Sequence, residues 1–440
     1  MPSLIISGAA RAALQSLDHD DTTFLQNLPK AELHAHLHGS IPLSTLQRIA
    51  TNYSPSPDIG AGVAATIARL QSNVVLTEIS EFFQLFPAIY ALIATPAALA
   101  EATRDVLHAF LTEQPPPSGF AYHPAPDCSY LELRSTPRKT SHMSREQYLL
   151  TVLSEIRAFP GRAALIVSVD RRMSEQDVEE CVDLAIKLHQ QGEPVVGLDL
   201  CGDPLEGNVD TFEKHFDRAR EAGLGLTVHI AETKLNGHSI ESFVLLSWHP
   251  DRLGHATYLE EPQRDIFLAD IPPPSTQVPQ IPPPNGQVPD PIPHHHRTFY
   301  ALWRKHILLL SRRYQDAGFH IDSQDDDTKE RAARDVVTEI QALRDLAGKQ
   351  YKPCVEICLT SNLLTKTVPR LEEHHIRHYL ANDHPVVICT DDILPFRTTL
   401  LAEYALLLAK PPHGLGLSRD EVRKIAEMGM NARFMNGKQA

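Results

Sequence analysis

The chain has 440 residues, of which 41 are Lys or Arg and 55 are Asp or Glu, so its formal net charge is -14. This charge disfavours a general nucleic-acid binder, which needs a cationic face. Apolar residues make up 42% of the sequence, which suffices for a large core and excludes a wholly disordered chain. The six cysteines have no framework spacing, so we expect reduced thiols in an intracellular protein. No apolar run reaches the roughly 18 residues of a membrane span and no secretory signal is recognisable, so we expect a cytoplasmic protein without membrane contact.

Eight apolar, β-like runs alternate with stretches of helical periodicity along the chain. The runs cover residues 31–37, 130–136, 164–170, 195–201, 224–230, 251–256, 354–361 and 385–391. Near-continuous apolar strands that alternate with helices predict a parallel sheet covered by helices. Eight such units predict a closed (β/α)8 barrel, the TIM barrel. The alternative is an open doubly wound sheet, which usually has a Gly-rich phosphate turn after its first strand; this chain has no such turn.

A proline-rich stretch interrupts the alternation between the sixth and the seventh run. Residues 271–293 contain ten prolines and a tandem repeat, IPPPSTQVPQ followed by IPPPNGQVPD, which predict an exposed linker. Two helices are predicted after it, at about 299–314 and 328–348. We expect residues 265–350 to form one insertion in a single barrel domain, which comprises residues 1–264 and 351–440 of a monomer.

Two groups of histidines outside the strands have simpler interpretations. The three histidines at 294–296 follow the proline-rich stretch and are predicted to lie in a solvated loop. His374, His375 and His378 lie in a polar, helix-like segment and are predicted to be on the surface. Neither group is expected to bind a metal.

Polar side chains occur where the predicted strands end, and (β/α)8 barrels build their active sites at that mouth. His34 and His36 are two residues apart on the first strand, so they project from the same face. His229 and Asp391 end the fifth and the eighth strand and complete a set of three imidazoles and one carboxylate. Such a set suits Zn²⁺ with room for a water, whose pKa zinc lowers to about 7. We therefore expect one zinc ion per chain.

Two further groups at this mouth are candidates for proton transfer. Glu232 lies three residues after His229, and a carboxylate beside an activated water can carry a proton to a leaving nitrogen. His255 can orient that water or, alternatively, bind a second metal. A binuclear barrel usually needs a bridging carboxylate or a modified Lys on its fourth strand. That strand has Asp199 but no Lys, which favours a single metal.

Six motifs, in order along the chain, resemble the adenosine deaminase superfamily of zinc aminohydrolases. They are ELHAHLHGS (32–40), GLDLCGDP (197–204), HIAE (229–232), RLGHAT (252–257), LTSN (359–362) and CTDD (389–392). The resemblance implies a zinc ion held by His34, His36, His229 and Asp391. It also implies that Glu232 protonates N1 of a purine while hydroxide attacks C6, and that His255 orients the attacking water. Asp392 would hydrogen-bond N7 of the base, and the backbone N–H of Gly202 would contact N3.

The resemblance is closer to one branch, the adenosine deaminase-like or N6-methyl-AMP deaminase proteins. The motifs that carry it are YLELRSTPR (130–138), VDRR (169–172), CLTSNLLTKTVP (358–369) and HPVVICTDD (384–392). Adenosine deaminases proper tend to have Asp, and this branch usually Asn, where this chain has His38. An Asp would repel a 5′-phosphate, whereas a His can donate a hydrogen bond to it. The resemblance thus implies a purine nucleoside monophosphate as substrate, with N6-methyl-AMP giving IMP and methylamine; the alternative is free adenosine.

Residues near these strand ends are candidates for substrate binding. They are His36, His38, Tyr90, Ser135, Thr136, Arg138, Asp170, Gly202 and Asp392. Ser135, Thr136 and Arg138 follow the second strand and could line the phosphate or ribose end, with Lys234 as a further cation for the phosphate. Asp170 can accept a hydrogen bond from a ribose hydroxyl. Tyr90 stands where relatives often have a His.

Two other classes of protein remain open. A binuclear amidohydrolase that cleaves an ester or a cyclic amide would bind two metals per chain. A non-catalytic relative would only bind a ligand or a partner through the insertion. The presence of Glu232, His255 and all four candidate ligands argues against the second class.

Overall fold

Eight parallel strands form one sheet in this computed structural model, which describes residues 5–52, 57–72, 79–237, 240–268, 294–320, 326–347 and 351–434. The strands are β1 (Ala31–His36), β2 (Tyr130–Ser135), β3 (Ala163–Asp170), β4 (Val195–Cys201), β5 (Gly225–Ile230), β6 (Arg252–His255), β7 (Cys354–Ile357) and β8 (Val386–Ile388). Each strand pairs with the next one along the chain. A parallel bridge between Ala35 and Asp391 joins the end of β8 to β1 and closes the ring. The predicted (β/α)8 barrel is confirmed.

Helices cover the outside of the barrel. Those before β2 are α1 (Gly8–Ser16), α2 (His19–Asn27), α3 (Leu43–Thr51), α4 (Pro57–Gln71), α5 (Ile79–Phe83), α6 (Phe86–Leu92) and α7 (Pro96–Leu111). Those between β2 and β7 are α8 (Arg145–Ile156), α9 (Glu175–Gln190), α10 (Glu213–Glu221), α11 (Lys234–Gly237), α12 (Ile240–Ser247), α13 (Glu261–Leu268), α14 (His294–His320) and α15 (Asp326–Ala347). The last are α16 (Leu359–Leu364), α17 (Ile376–Ala381), α18 (Ile393–Phe396), α19 (Leu400–Leu408) and α20 (Arg419–Asn431). Among the described residues, no helix is both long and apolar enough to cross a membrane.

The last two strands are shorter than the sequence predicts. β7 ends at Ile357 and β8 at Ile388, whereas the predicted strands extended to positions 361 and 391. α16 begins at Leu359, so Ser361 and Asn362 lie in a helix. A short, fully buried apolar run has the same composition in a strand and in a buried helix, and its pattern therefore cannot locate the boundary.

Side chains of each strand alternate between the inside and the outside of the barrel. On β2, Leu131 and Leu133 belong to the main apolar core between strands and helices. Tyr130 belongs to a smaller apolar group inside the barrel, and Glu132 and Arg134 are completely buried beside it. The inside of the barrel therefore contains charged groups, which the apolar appearance of the predicted strands did not indicate.

The two helices predicted after the proline-rich stretch are present as α14 and α15, which pack against each other. Trp303 of α14 is fully buried, and its indole N–H donates to the Leu246 carbonyl of α12 at 2.9 Å. Arg304 donates to Asp217 of α10 at 2.9 Å. α14 therefore packs closely on the flank of the barrel.

The start of α14 corrects one expectation. The histidines at 294–296, predicted to lie in a loop, form its first residues. A helix propagates easily beyond its amphipathic segment once that segment is held by packing. The repeat at 271–293 and most of the acidic stretch at 322–327 lie outside the described residues.

Candidate active site

The carboxyl ends of the strands surround a cavity. Its walls include most of the residues proposed from the sequence: His36, His38, Tyr90, Ser135, Thr136, Asp170, Gly202, His229, Glu232, His255, Asp391 and Asp392. Arg138 is not part of the wall, but its guanidinium lies 3.7 Å from the centre of the Tyr90 ring. Lys234 is exposed on α11 and does not line the cavity.

Three imidazoles and one carboxylate meet at the floor of this cavity. His36 Nε2 is 3.2 Å from His229 Nε2, and Asp391 Oδ1 is 3.6 Å from His36 Nε2. His34 Nε2 lies 3.9 Å from the same Asp391 oxygen. One ring nitrogen each of His34, His36 and His229 lies within 4.8 Å of the others. Strands β1 and β5 and the end of β8 thus place the four candidate ligands around one point.

Nδ1 of two of the imidazoles has a hydrogen-bond acceptor on the side away from the candidate metal position. His34 Nδ1 is 2.5 Å from Glu356 Oε2, and His229 Nδ1 is 2.7 Å from the Leu200 carbonyl oxygen. With Nδ1 engaged in this way, Nε2 of both rings faces the centre of the site. His34 Nε2 is buried and has no hydrogen-bond partner. A buried ring nitrogen without a partner is costly unless it binds a cation, so the donor set fits Zn²⁺.

The acidic pair after β8 also calls for a cation. Burial raises the pKa of Asp391, and burial together with the adjacent Asp391 raises the pKa of Asp392 well above its usual range. Asp391 Oδ2 accepts a hydrogen bond from Ser361 at 2.8 Å. Gly39 lies so close to Asp392 that a Cβ atom there would overlap the carboxylate, 1.5 Å from its Oδ1. A divalent cation beside Asp391 would offset the repulsion within this pair.

Strained backbone positions surround the site and are held by neighbouring side chains. His255, Ala256 and Asp391 have φ values of 61°, 47° and 63°, which non-glycine residues rarely adopt. His375 Nε2 lies 2.8 Å from the His255 carbonyl, and the Tyr379 hydroxyl donates to the Ala256 carbonyl at 3.0 Å. α17 and the residue before it therefore fix the backbone that carries His255.

This arrangement corrects the expectation that the histidines near α17 lie on the surface. His374 is only 1% exposed and contacts Asn362 Oδ1 at 3.1 Å. His375 is half-buried against β6, and His378 alone is exposed. The local sequence is polar, but His374 and His375 face the barrel, and each finds a hydrogen-bond acceptor there.

Glu232 and His255 face each other across the cavity floor. Glu232 Oε1 lies 3.7 Å from His255 Nε2, which is also 4.0 Å from Asp391 Oδ2. Burial raises the pKa of Glu232 to about 7, although the nearby His229 opposes this effect. A carboxyl group in that range exists in both forms near neutral pH, as a proton donor and acceptor requires.

The rim of the cavity contains a chain of hydrogen bonds that the sequence did not reveal. His38 Nε2 lies 3.1 Å from the Tyr148 hydroxyl, which lies 2.7 Å from Ser135 Oγ. Burial, with the Arg138 guanidinium, lowers the pKa of His38 to about 3. His38 is therefore neutral at physiological pH, and its ring meets Tyr90 edge to face. A neutral imidazole offers a hydrogen bond to a phosphate but no charge.

The opposite wall is shaped by the ends of β3 and β4. Asp170 accepts hydrogen bonds from the backbone N–H and the Nε–H of Arg172 at 2.9 and 2.8 Å. Gly202 has a φ of 107°, and a Cβ atom there would lie 2.6 Å from Asp170 Oδ1. Only glycine therefore fits at this position. Thr136 Oγ1 lies 3.6 Å from Cys201 Sγ and completes the wall.

Several lining residues were missed by sequence reasoning. Phe82, Phe83 and Phe86 form an aromatic wall, and Arg134 and Arg172 also line the cavity. The phenylalanines belong to the segment that contains Tyr90, so their helical spacing was a usable signal. Arg134 ends β2 and Arg172 follows β3, but a lone Arg near a strand end has many possible roles, and neither was assigned to substrate or metal binding.

Asp199, considered above as a bridge to a second metal, has other partners. Its Oδ1 lies 3.1 Å from His229 Nδ1 and accepts from Arg134 at 3.2 Å, and its Oδ2 accepts from Ser168 at 2.8 Å. Burial alone would raise the pKa of Asp199, but Arg134 and His229 outweigh burial and lower it to about 2. The carboxylate of Asp199 therefore contacts His229 at Nδ1, the ring nitrogen that faces away from the candidate metal position.

Comparison with known proteins gives the family. The model of the adenosine deaminase family matches residues 29–270 and 323–440. N6-methyl-AMP deaminase of Bos taurus is 28% identical over 394 residues, which are 88% of this chain and 85% of that protein. N6-methyl-AMP deaminase of Danio rerio is 28% identical over 427 residues, covering 95% and 94% of the two chains. Crystal structures of Arabidopsis ADAL with IMP and with GMP are each 25% identical, cover 94% of both chains and have TM-scores of 0.64 and 0.63.

A (β/α)8 barrel with imidazole and carboxylate groups gathered at its carboxyl mouth is typical of an enzyme. The match over most of the chain is more specific. The protein belongs to the adenosine deaminase family and is a hydrolytic deaminase.

Proposed function

We propose that this protein is a zinc-dependent deaminase of purine nucleoside monophosphates that converts N6-methyl-AMP and water into IMP and methylamine. The observation that carries the proposal is the meeting of His34, His36, His229 and Asp391 beside Glu232 and His255 at the mouth of the barrel. The similarity to N6-methyl-AMP deaminases, and to structures that contain IMP and GMP, supports a nucleotide substrate.

One zinc ion would be held by His34, His36, His229 and Asp391, an N3O set with Nδ1 of His34 and of His229 fixed by protein acceptors. When bound, zinc supplies a water that is activated for attack at neutral pH. A single metal is favoured because Asp199 is engaged by Arg134, Ser168 and His229. Metal analysis of the purified protein should give one zinc per chain, and two metals would instead favour a binuclear amidohydrolase.

Glu232 and His255 divide the proton transfers between them. Glu232, with its pKa raised to about 7 by burial, donates a proton to N1 of the purine and so makes C6 electrophilic. His255, whose Nε2 lies 3.7 Å from Glu232 Oε1, would orient the attacking water. After addition at C6, protonation of the exocyclic nitrogen lets the amine leave, and the C6 oxygen remains in the product. Both residues are buried, so bulk water does not compete for these protons.

The remaining lining residues orient the base and the sugar. Burial and the adjacent Asp391 raise the pKa of Asp392, which favours the protonated form that would donate a hydrogen bond to N7. The backbone N–H of Gly202, at a position that only glycine can occupy, would contact N3. Arg172 donates to both carboxylate oxygens of Asp170, and the carboxylate would accept a further hydrogen bond from a ribose hydroxyl.

The 5′-phosphate would lie at the rim, near His38, Ser135, Thr136 and Arg138. His38 provides a neutral donor, and the Arg138 guanidinium, stacked on Tyr90, provides the charge. The alternative substrate is free adenosine, which needs no cation at this rim.

Steady-state kinetics on N6-methyl-AMP, AMP and adenosine test the proposal. We expect the highest kcat/KM for N6-methyl-AMP and the lowest for adenosine. A clear preference for free adenosine would reject the nucleotide substrate while leaving the deaminase intact.

A further inference from the structure

Arg134 spans the inside of the barrel directly below the candidate metal centre. Its side chain is completely buried and extends from β2. Nη1 donates to Asp199 Oδ1 at 3.2 Å, and Nη2 donates to Glu356 Oε2 at 2.9 Å. Nη2 also donates to the Leu33 carbonyl at 2.5 Å, next to His34 in the chain. One guanidinium thus connects β1, β4 and β7.

The two carboxylates that Arg134 binds are the ones that reach the imidazoles. Glu356 Oε2, which accepts from Arg134, lies 2.5 Å from His34 Nδ1. Asp199 Oδ1, which also accepts from Arg134, lies 3.1 Å from His229 Nδ1. The same oxygen atom therefore serves the guanidinium and the imidazole on each side. Arg134 thus reaches two of the three candidate imidazole ligands through carboxylates. His229 Nδ1 shares its contact between Asp199 and the Leu200 carbonyl oxygen at 2.7 Å, whereas His34 Nδ1 contacts Glu356.

We propose that Arg134 is a positioning residue that fixes the rotamers of His34 and His229 through Glu356 and Asp199 and so preorganises the metal centre. Groups that orient a ligating histidine from behind commonly contribute 10- to 100-fold, roughly, to metal affinity. This inference rests on the proposed function only in taking zinc as the metal.

The chemistry of this position requires arginine. A guanidinium is a planar fork whose two terminal nitrogens can each donate to a different carboxylate in a fixed geometry. The ammonium group of a lysine is a single point charge, and it would draw the two carboxylates together or release one of them. Release of Glu356 would leave His34 without its acceptor, and release of Asp199 would leave His229 with the Leu200 carbonyl alone.

A neighbouring arginine shows that charge inside the barrel is not sufficient for this role. Arg252 is also buried, and it donates to Glu132 at 2.6 Å. It approaches Glu356 through the other carboxylate oxygen, at 2.8 Å from its Nε. Arg252 thus contacts no oxygen atom that serves an imidazole, whereas Arg134 contacts two.

The test measures metal binding without substrate, so it is independent of the deaminase reaction. Arg134→Lys is titrated with Zn²⁺ in competition with a chromophoric chelator. We expect its zinc affinity to fall about 10- to 100-fold. The matched control is Arg171→Lys: Arg171 is also a buried arginine at a strand end, but it pairs with Glu241 at 2.8 Å and touches no imidazole. The zinc affinity of this control should be unchanged.

The visible absorption spectrum of the Co²⁺-substituted protein provides a second measurement. Its bands report ligand geometry, so Arg134→Lys should shift them and Arg171→Lys should not. A folded Arg134→Lys protein with the zinc affinity and the Co²⁺ spectrum of the unsubstituted protein would overturn the proposal.

Two further substitutions test the proposal if Arg134→Lys does not fold. Asp199→Asn and Glu356→Gln keep the size of each side chain but remove its charge. Each should weaken zinc binding if the carboxylates transmit the effect of Arg134, and unchanged affinity in both would refute it. A protein that binds zinc as expected but does not act on N6-methyl-AMP would contradict only the proposed function.

Discussion

The inside of the barrel and the layer between its strands and helices are equally buried but differ in chemistry. The outer layer is mainly apolar, with Leu165, Leu198 and Leu253 among its fully buried members. Inside the barrel, Arg134 and Glu356 are just as buried and are charged. Neighbouring residues of the same strand can therefore lie in opposite environments, because strand side chains alternate.

The stability of the fold and the geometry of the candidate site therefore depend on different sets of buried side chains. A barrel interior can be filled by branched apolar side chains, and burying a charge costs free energy unless it is paired. Here every interior charge has a partner: Arg134 binds Glu356 and Asp199, and Arg252 binds Glu132. Glu356 and Asp199 also contact His34 and His229, so the interior charges orient residues of the candidate metal site. The outer layer contributes mainly to the stability of the fold.

The largest effect is expected from removing an interior imidazole. His229→Ala deletes one of the four candidate ligands and should lower kcat/KM by about 10⁴-fold or more, since the metal-activated water is lost. Zinc content and turnover of the purified variant measure this effect. Full activity in a zinc-free variant would show that the imidazoles have another purpose.

The next effect concerns the proton donor. Glu232→Gln keeps the size of the side chain but removes its proton, so kcat should fall about 10²- to 10⁴-fold. Zinc content should stay at the level of the unsubstituted protein, because Glu232 is not among the four ligands. If the loss of activity coincides with loss of zinc, Glu232 belongs to the metal site instead.

A smaller effect is expected at the rim. His38→Asp places a carboxylate where a 5′-phosphate would lie, so the ratio of kcat/KM for N6-methyl-AMP to that for N6-methyladenosine should fall about tenfold, which is about 1.4 kcal/mol. His38→Asn is the control, because an amide can still donate a hydrogen bond. An unchanged ratio in His38→Asp would place the phosphate elsewhere.

The smallest effect on chemistry is expected in the outer layer. Leu198→Ala removes a fully buried side chain next to Asp199 on the opposite face of β4, and should lower the free energy of unfolding by about 2–5 kcal/mol. Turnover per folded molecule and zinc affinity should not change. Chemical denaturation and zinc titration measure both quantities. A marked loss of zinc affinity would mean that the two faces of the strand are not independent.

Much of the fold was readable from the sequence because its signals are local. Apolar runs of strand length alternating with helical periodicity predicted all eight strands, and only the ends of β7 and β8 were misplaced. The error at His374 arises because burial is a property of the folded chain. His374 lies in a polar segment but is buried against Asn362, and no local sequence pattern predicts that contact.

The sequence by itself determined the type of barrel, the family motifs and the residues named for the metal and for proton transfer, since each of these depends on residue type and short spacing. Only the tertiary structure decided which buried charged side chain contacts which candidate ligand or carboxylate. Glu356 reaches His34 across 322 positions of the chain, and Arg134 reaches Asp199 across 65. Such pairs form because closing the barrel brings β1, β2, β4 and β7 around one axis, and the spacing of residues along the chain carries no information about which side chains meet there.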